Sequence, residues 1–310
     1  MLINQALKIV KSLALVCVFL ALTGFDFAKH SIPLNEIHSG GPGKDGIPAL
    51  DHPKFLAAEK AARQIKDPDR VLGLAFGGES KAYPISILNW HEVVNDRIGG
   101  RNVVITFCPL CGTGMVFDGE VGEKQFTFGV SGLLYQSDVL LYDRQTESLW
   151  SQIKMAAVTG SMTGAKLTLL PSVQTTWGQW KKTHPESRLL SRKTGFRRNY
   201  DRDPYSGYEK SLGMGPGVKK VNPRFHPKEK IIGIEIAGAV KAYPFSVLAQ
   251  AKLPVEDQLG GTVVRIYYDD ESQTAIIRDK KGNELASVVG FWFAWFAFHP
   301  NTEIYMERGQ

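Results

Sequence analysis

Cysteine is almost absent from this sequence, with three in 310 residues. One of them, Cys17, lies inside an N-terminal apolar run, so the rest of the chain carries only Cys108 and Cys111. A disulfide framework is excluded by that count. So is a four-cysteine zinc site, because no second pair exists to complete one. A bond between residues so close together would close only a tiny loop and add little stability. Long apolar segments are missing as well. The run Leu13–Leu22 is shorter than the roughly 20 residues a membrane-spanning helix needs. Nor is there a strong excess of one charge. A net charge of +6 and a pI of about 9.1 fall well short of a dedicated nucleic-acid binder, so no nucleic-acid partner is expected.

What is present is a globular composition, 43% hydrophobic and 22% charged, enough to bury a sizeable core. Lys8 and Lys11 precede the apolar run, and small residues follow, with Gly24 or Ala28 as cleavage points. That order is the signature of a secretory signal. Residues 1–28 are assigned to it, and the mature chain is expected to begin between Phe25 and Lys29. Cys17 sits within the run rather than at its end, which argues against a lipid-anchored cysteine. The expected location is periplasmic or secreted, without a stable membrane span after cleavage.

Two segments about 160 residues apart resemble each other. VLGLAFGGESKAYPISIL runs from Val71 to Leu88, and IIGIEIAGAVKAYPFSVL from Ile231 to Leu248; both contain Lys-Ala-Tyr-Pro. Gly99-Gly100 and Gly260-Gly261 follow, then the strand-like runs from Val103 and Val263. Further on, Trp177, Trp180, His184 and Pro185 match Trp292, Trp295, His299 and Pro300 in order and spacing. The fold expected is α+β and strand-rich, a tandem duplication of a hairpin–helix–strand unit whose second copy is shortened and cysteine-free. The divisions are an extended segment over 29–66, the first repeat over 67–190, an Arg/Gly/Pro-rich connection over 191–227 and the second repeat over 228–310.

Alternation around Gly77-Gly78 predicts a hairpin. Helical spacing of Ile85, Leu88 and Val93 predicts a helix from Ile85 to Asp96. Strands are expected at Asn102–Phe107, Met115–Asp118, Gln125–Val130, Val139–Asp143, Ser148–Gln152 and Lys166–Leu170. Ser172 is placed to cap a helix ending at Thr183. The stretch 39–53, rich in Gly and Pro, reads as a surface thread. The stretch 191–227 is long enough without regular structure to be either functional or a linker.

Cys108-Pro109-Leu110-Cys111 follows a strand and is the strongest chemical signal. Two sulfurs at this spacing can chelate a soft metal or form a redox pair. The second copy has Asp269-Asp270-Glu271-Ser272 in this place. Features confined to the first copy are therefore the functional candidates: His91, Glu92, Asp96, Cys108, Cys111 and the segment from Phe128 to Gln152. His91 suits a third ligand, although a packed structural histidine is as common. The rises of about 3.3 Å per strand residue and 1.5 Å per helix residue place it toward the same end of the unit as Cys108. Ser131, Tyr135, Asp138, Trp150 and Gln152 could line a pocket beside the sulfurs, or form an ordinary polar hairpin end. Met115 is a candidate thioether, more often core filler. His184 and His299 recur before proline and read as helix-end residues. The basic run from Arg188 to Arg202 is interleaved with acids, as a self-paired solvated loop would be. Gly213, Gly215 and Gly217 mimic a phosphate loop only superficially.

Asp45-Gly-Ile-Pro48, Lys81-Ala-Tyr-Pro84, His91-Glu-x-x-Asn-Asp96, Cys108-Pro-Leu-Cys-Gly-Thr113, Phe128-Gly-Val-Ser-Gly-Leu-Leu134, Tyr142-Asp-Arg-Gln-Thr146, Leu149-Trp-Ser-Gln152, Tyr200-Asp-Arg-Asp-Pro-Tyr205 and Trp292-Phe-Ala-Trp295 resemble the bacterial family catalogued as domain of unknown function 3179. The resemblance spans nearly the whole chain after the signal. It implies membership without an assigned activity. Gln136 stands where asparagine is usual in that pattern.

The leading expectation is a Cys108/Cys111/His91 site for copper(I) or zinc(II), with Glu92 or Asp96 orienting the imidazole. Its partner would be an unidentified small molecule or a metal-delivery protein. One alternative is a thiol–disulfide oxidoreductase with Cys108 attacking and Cys111 resolving. Another is a non-enzymatic binding module with a structural disulfide.

Overall fold

The computed structural model describes residues 24–307. Most of the expected signal, residues 1–23, lies outside the described residues. The chain is strand-rich with short helices, an α+β arrangement. An eight-stranded sheet runs in the order Glu303–Ile304, Ala239–Pro244, Lys230–Ile236, Val288–Phe291, Thr113–Asp118, Arg101–Cys108 and Val93–Ile98, with Leu169–Leu170 also on Thr113–Asp118. Val289 opposite Gly114 joins its two halves. A five-stranded sheet holds Val173–Thr176, Arg70–Phe76, Glu79–Pro84, Arg188–Leu190 and Phe55–Ala57. A second five-stranded sheet contains the Phe128–Tyr135 and Asp138–Asp143 hairpin. Among the described residues no helix is long and apolar enough to cross a membrane.

The two Lys-Ala-Tyr-Pro hairpins have the same register. Val71 pairs with Pro84 and Phe76 with Glu79; Ile231 pairs with Pro244 and Ile236 with Ala239. Each is flanked by one antiparallel strand, Val173–Thr176 or Val288–Phe291, and by one parallel strand, Arg188–Leu190 or Glu303–Ile304. A tryptophan lies over each hairpin glycine. A methyl group on Gly73 would meet Trp180 at 2.3 Å, and one on Gly233 would meet Trp295 at 2.6 Å. Each indole N–H has a hydroxyl to donate to, Trp180 to Ser187 at 2.7 Å and Trp295 to Thr302 at 3.0 Å.

Three local expectations are corrected. The first helix spans Ile85–His91 and stops there, because Glu92 takes φ +56°. The β-branched pair Val93 and Val94 then enters a strand opposite Thr106 and Ile105. The later helix is Trp177–Thr183, capped by Thr176 rather than Ser172, since Val173–Thr176 is needed as a strand beside Arg70–Gly73. Of Lys166–Leu170, only Leu169–Leu170 forms a ladder. The stretch 39–53 also goes deeper than a surface thread. Leu50 is buried and exchanges backbone hydrogen bonds with Val93 and Asn95. The 191–227 stretch contains only a single 3-10 turn, Tyr208–Lys210. Its path back across the first unit is what encloses the cysteines.

Candidate metal centre

Cys108 ends its strand opposite Thr113, and the four residues between them make the turn, with the Cys111 amide donating to the Cys108 carbonyl at 3.2 Å. Both cysteines are free, and they are 1% and 0% exposed. Their sulfurs converge on one acceptor, the Ser137 carbonyl, at 3.7 Å from Cys108 and 3.3 Å from Cys111. Ser137 belongs to a two-residue hairpin turn closed by Tyr135 opposite Asp138. Gln136 and Ser137 both take positive φ, +53° and +69°. Such turns favour Asn-Gly, and a residue with a Cβ is held there at a cost of roughly 1–2 kcal/mol. Strain of this kind collects at sites where geometry serves a purpose.

The turn delivers Asp138. One ligand atom each from Cys108, Cys111 and Asp138 lie within 4.8 Å of one another, all three buried. Asp138 Oδ2 accepts from Ser151 Oγ at 2.9 Å and the Ile153 amide at 3.0 Å, which fixes the carboxyl plane. Its Oδ1 makes no hydrogen bond of normal geometry, although the Val139 and Gln152 amides lie near the carboxyl, and Ser137 Oγ has no partner either; both atoms are buried. Orphaned polar atoms in an interior are costly and call for an explanation. Burial pushes the Asp138 carboxyl up to about 7. Glu92 is pushed to about 8, by burial first and by the neighbouring Asp138 charge second. No hydrogen bond to the Glu92 carboxyl occurs among the described residues. Burial also raises the Cys111 thiol well above its usual value. Lys228 supplies a nearby positive charge: it is buried, its ammonium bonds the Gly213 carbonyl and it sits 4.0 Å from the Tyr208 ring centre.

The 191–227 stretch covers this centre. A methyl on Gly215 would lie 2.0 Å from Ser137 Oγ, so a larger residue would have to push the serine hydroxyl aside. The Lys219 amide donates to Gln136 Oε1 at 2.9 Å and pins the strap to the strained turn. Tyr205 and Tyr208 come from the same stretch. Burial raises both phenols first, and the neighbouring acidic groups add to it, Glu92 and then Cys108 at Tyr205 and Cys111 and then Cys108 at Tyr208.

His91 is not brought to the sulfurs. Its Nδ1 donates to the Pro48 carbonyl at 2.8 Å, and its Nε2 faces the Tyr200 hydroxyl at 2.7 Å. Burial lowers its pKa, so the neutral ring accepts from Tyr200. Both nitrogens are thereby occupied, and Asp138 stands where the sequence suggested an imidazole. Asp96 is likewise removed from the centre. It binds Lys81 Nζ at 2.8 Å and Tyr83 at 2.7 Å, and Asp257 does the same for Lys241 and Tyr243, so the feature is shared and structural.

Gln152 lies behind the cysteine turn, accepting from Thr113 at 2.7 Å and donating to Thr106 at 2.8 Å. Trp150 donates to Asp143 at 2.8 Å and packs in the same apolar core as the two cysteines and Met115. Ser131 Oγ bonds the Leu140 carbonyl. The Tyr135 ring packs on Phe298. Sequence reasoning had Asp138 only as a pocket residue and Ser137 only within the candidate segment from Phe128 to Gln152, and it missed Gly215, Tyr205, Tyr208 and Lys228. The usable signal was a turn position occupied by Gln-Ser between two strand runs.

No curated protein and no solved structure matches the chain. The model of a family described as protein of unknown function (DUF3179) matches residues 44–302. That match covers most of the chain, and the chain belongs to the DUF3179 family.

Proposed function

We propose that this is an exported protein that binds one zinc(II) ion through Cys108, Cys111 and Asp138. The observation that carries the reading is the convergence of two thiols and a carboxylate whose second oxygen makes no hydrogen bond of normal geometry. Exchanging the expected imidazole for a carboxylate oxygen moves the donor set from copper(I), which prefers soft ligands alone, toward zinc. Three protein ligands leave a fourth position for water or substrate, as in catalytic rather than structural zinc sites. Binding requires both cysteines as thiolates, so it releases protons, and Lys228 offsets part of the negative charge. The dithiol redox reading has less support. A reactive cysteine is commonly activated at a helix N-terminus, whereas this pair lies between two strands.

We further propose that the two hairpin units derive from an internal duplication, on the strength of their common register and tryptophan packing. Export is supported by the N-terminal pattern. Phe25 packs 5.5 Å from Tyr142 and is buried, which favours cleavage directly before it. Intact mass of protein from the native compartment should show a chain beginning at Phe25; a chain beginning at Lys29 contradicts this.

The metal reading is tested by titrating reduced, metal-free protein with zinc and, for a thiolate charge-transfer band, with cadmium. One ion per chain is expected. Cys108→Ser and Asp138→Ala should each weaken binding by at least about 10–100-fold, and His91→Phe should leave it nearly unchanged. Retention in Cys108→Ser, or loss confined to the His91 variant, contradicts the proposed ligands.

A further inference from the structure

The 191–227 stretch joins no β-ladder, so side chains must hold it in place. Three consecutive residues at the end of the first helix do so. Asn89 Nδ2 donates to Asp203 Oδ1 at 3.0 Å, Trp90 Nε1 donates to the Arg202 carbonyl at 3.2 Å, and His91 Nε2 accepts from the Tyr200 hydroxyl at 2.7 Å. The first two bonds lie at exposed sites, where water competes for the same groups. His91 is 0% exposed. The Pro48 carbonyl holds its other nitrogen at 2.8 Å, and the Phe196 ring centre lies 5.4 Å from its own. Thr194 Oγ1 extends the chain of bonds to Tyr200 at 2.6 Å. From this anchor the strap runs on through Tyr205, Tyr208 and Gly215 over the sulfurs and is next tied at Lys219 to Gln136.

The closed position holds a neutral ring. Burial lowers the His91 pKa most, and the Arg198 guanidinium adds to this against the opposing Pro48 carbonyl. The other charged groups of the surrounding elements are engaged elsewhere. On the strap, Asp201 pairs with Arg192 and Asp203 bonds Asn89, while burial keeps the Tyr200 phenol neutral. On the 39–53 stretch, Asp51 pairs with Arg144 and His52 is exposed. On a strand packed against the helix, Lys81 pairs with Asp96. Glu92, next in the chain, is itself buried and raised by that burial. A protonated ring could keep Tyr200 by turning the phenol proton toward Thr194. It would still be a buried cation beside Arg198, which is costly. Released into water, the ring titrates near 6.5. The open strap therefore binds more protons than the closed one below that pH, and closure weakens as the pH falls from about 6.5 toward the lowered value of the closed state.

We infer that His91 is a pH-sensitive latch for the strap: its protonation in mildly acidic surroundings frees residues 194–205 from the helix end and opens the path to Cys108 and Cys111. The latch uses no metal-ligand atom, so the inference stands apart from the zinc reading.

The test uses reduced, metal-free protein labelled with methyl methanethiosulfonate between pH 7.5 and 5. Labelling at Cys108 and Cys111 is located by peptide mass, and each rate is divided by that of glutathione at the same pH. The normalised rate should rise about tenfold on acidification, one proton being taken up on opening. In His91→Phe it should change less than twofold over the same range, whether that variant holds the strap shut or leaves it open. Arg198→Gln, at an exposed position, should give a smaller rise than the unaltered protein, because its charge no longer opposes protonation of the closed ring. Amide hydrogen exchange, corrected for intrinsic rates, should quicken in residues 194–205 at pH 5 and stay slow in the eight-stranded sheet. A flat normalised rate in the unaltered protein, an undiminished rise in His91→Phe, or equal loss of protection in the sheet, which would mean global unfolding, would overturn the inference.

Discussion

The two hairpin units solve the same turn with different chemistry. In the first, Cys108 and Thr113 face each other across Pro109–Gly112; in the second, Asp269 and Thr274 face each other across 270–273. The residue before the closing threonine is left-handed in both, Gly112 at φ +63° and Gln273 at +49°. In the second unit the turn is self-sufficient: Ser272 Oγ bonds Asp269 Oδ2, and the Ser272 amide reaches the same oxygen at 3.3 Å. The turn thus forms without sulfur. In the first unit neither sulfur braces the turn. Both point across to the Gln136-Ser137 hairpin, an element without a counterpart in the second unit. Sulfur at these positions is explained by what it faces rather than by the fold.

The shared features offer the largest effects. Lys81 and Asp96 form an ion pair with side chains only 7% and 8% exposed, against 14% and 20% for Lys241 and Asp257. Removing one partner of a buried pair strands the other charge. Asp96→Ala is therefore expected to cost about 3–5 kcal/mol in urea unfolding. Asp257→Ala should cost clearly less, because water reaches its partner. Equal losses would mean that burial does not distinguish the two units.

A smaller effect separates them by the strap. Gly215→Ala places a methyl against Ser137 Oγ and should cost roughly 1–3 kcal/mol through overpacking. It should also speed modification of Cys108 and Cys111 by a thiol reagent. A loss of stability without faster thiol modification would show that the strap packs on the centre but does not seal it.

Much of the scaffold was legible in the sequence. Alternation about Gly77-Gly78 and the recurrence of Lys-Ala-Tyr-Pro marked both hairpins. The failures had local and distant causes. Helical spacing carried the first helix past His91, because nothing in the residue pattern announced the positive φ of Glu92. The helix-to-turn distance estimated for His91 then rested on a helix that had already ended. Its true partners, Pro48 and Tyr200, are 43 and 109 residues away in sequence. Asp96 was assigned to the first unit alone although Asp257 occupies the matching position. Asp138 lacked any ligand-like spacing to the cysteines, since its approach depends on a strained turn that only the folded chain displays.

The central claim is the identity of the three ligands, and X-ray absorption at the zinc edge reads it directly. The zinc-loaded protein should show two sulfurs at about 2.3 Å and oxygen at about 2.0–2.2 Å, without the outer-shell scattering of an imidazole ring. Asp138→Ala should remove oxygen scattering or replace it with that of water, leaving the sulfurs in place. A spectrum with imidazole scattering that disappears in His91→Phe would contradict the account and restore His91 as the ligand.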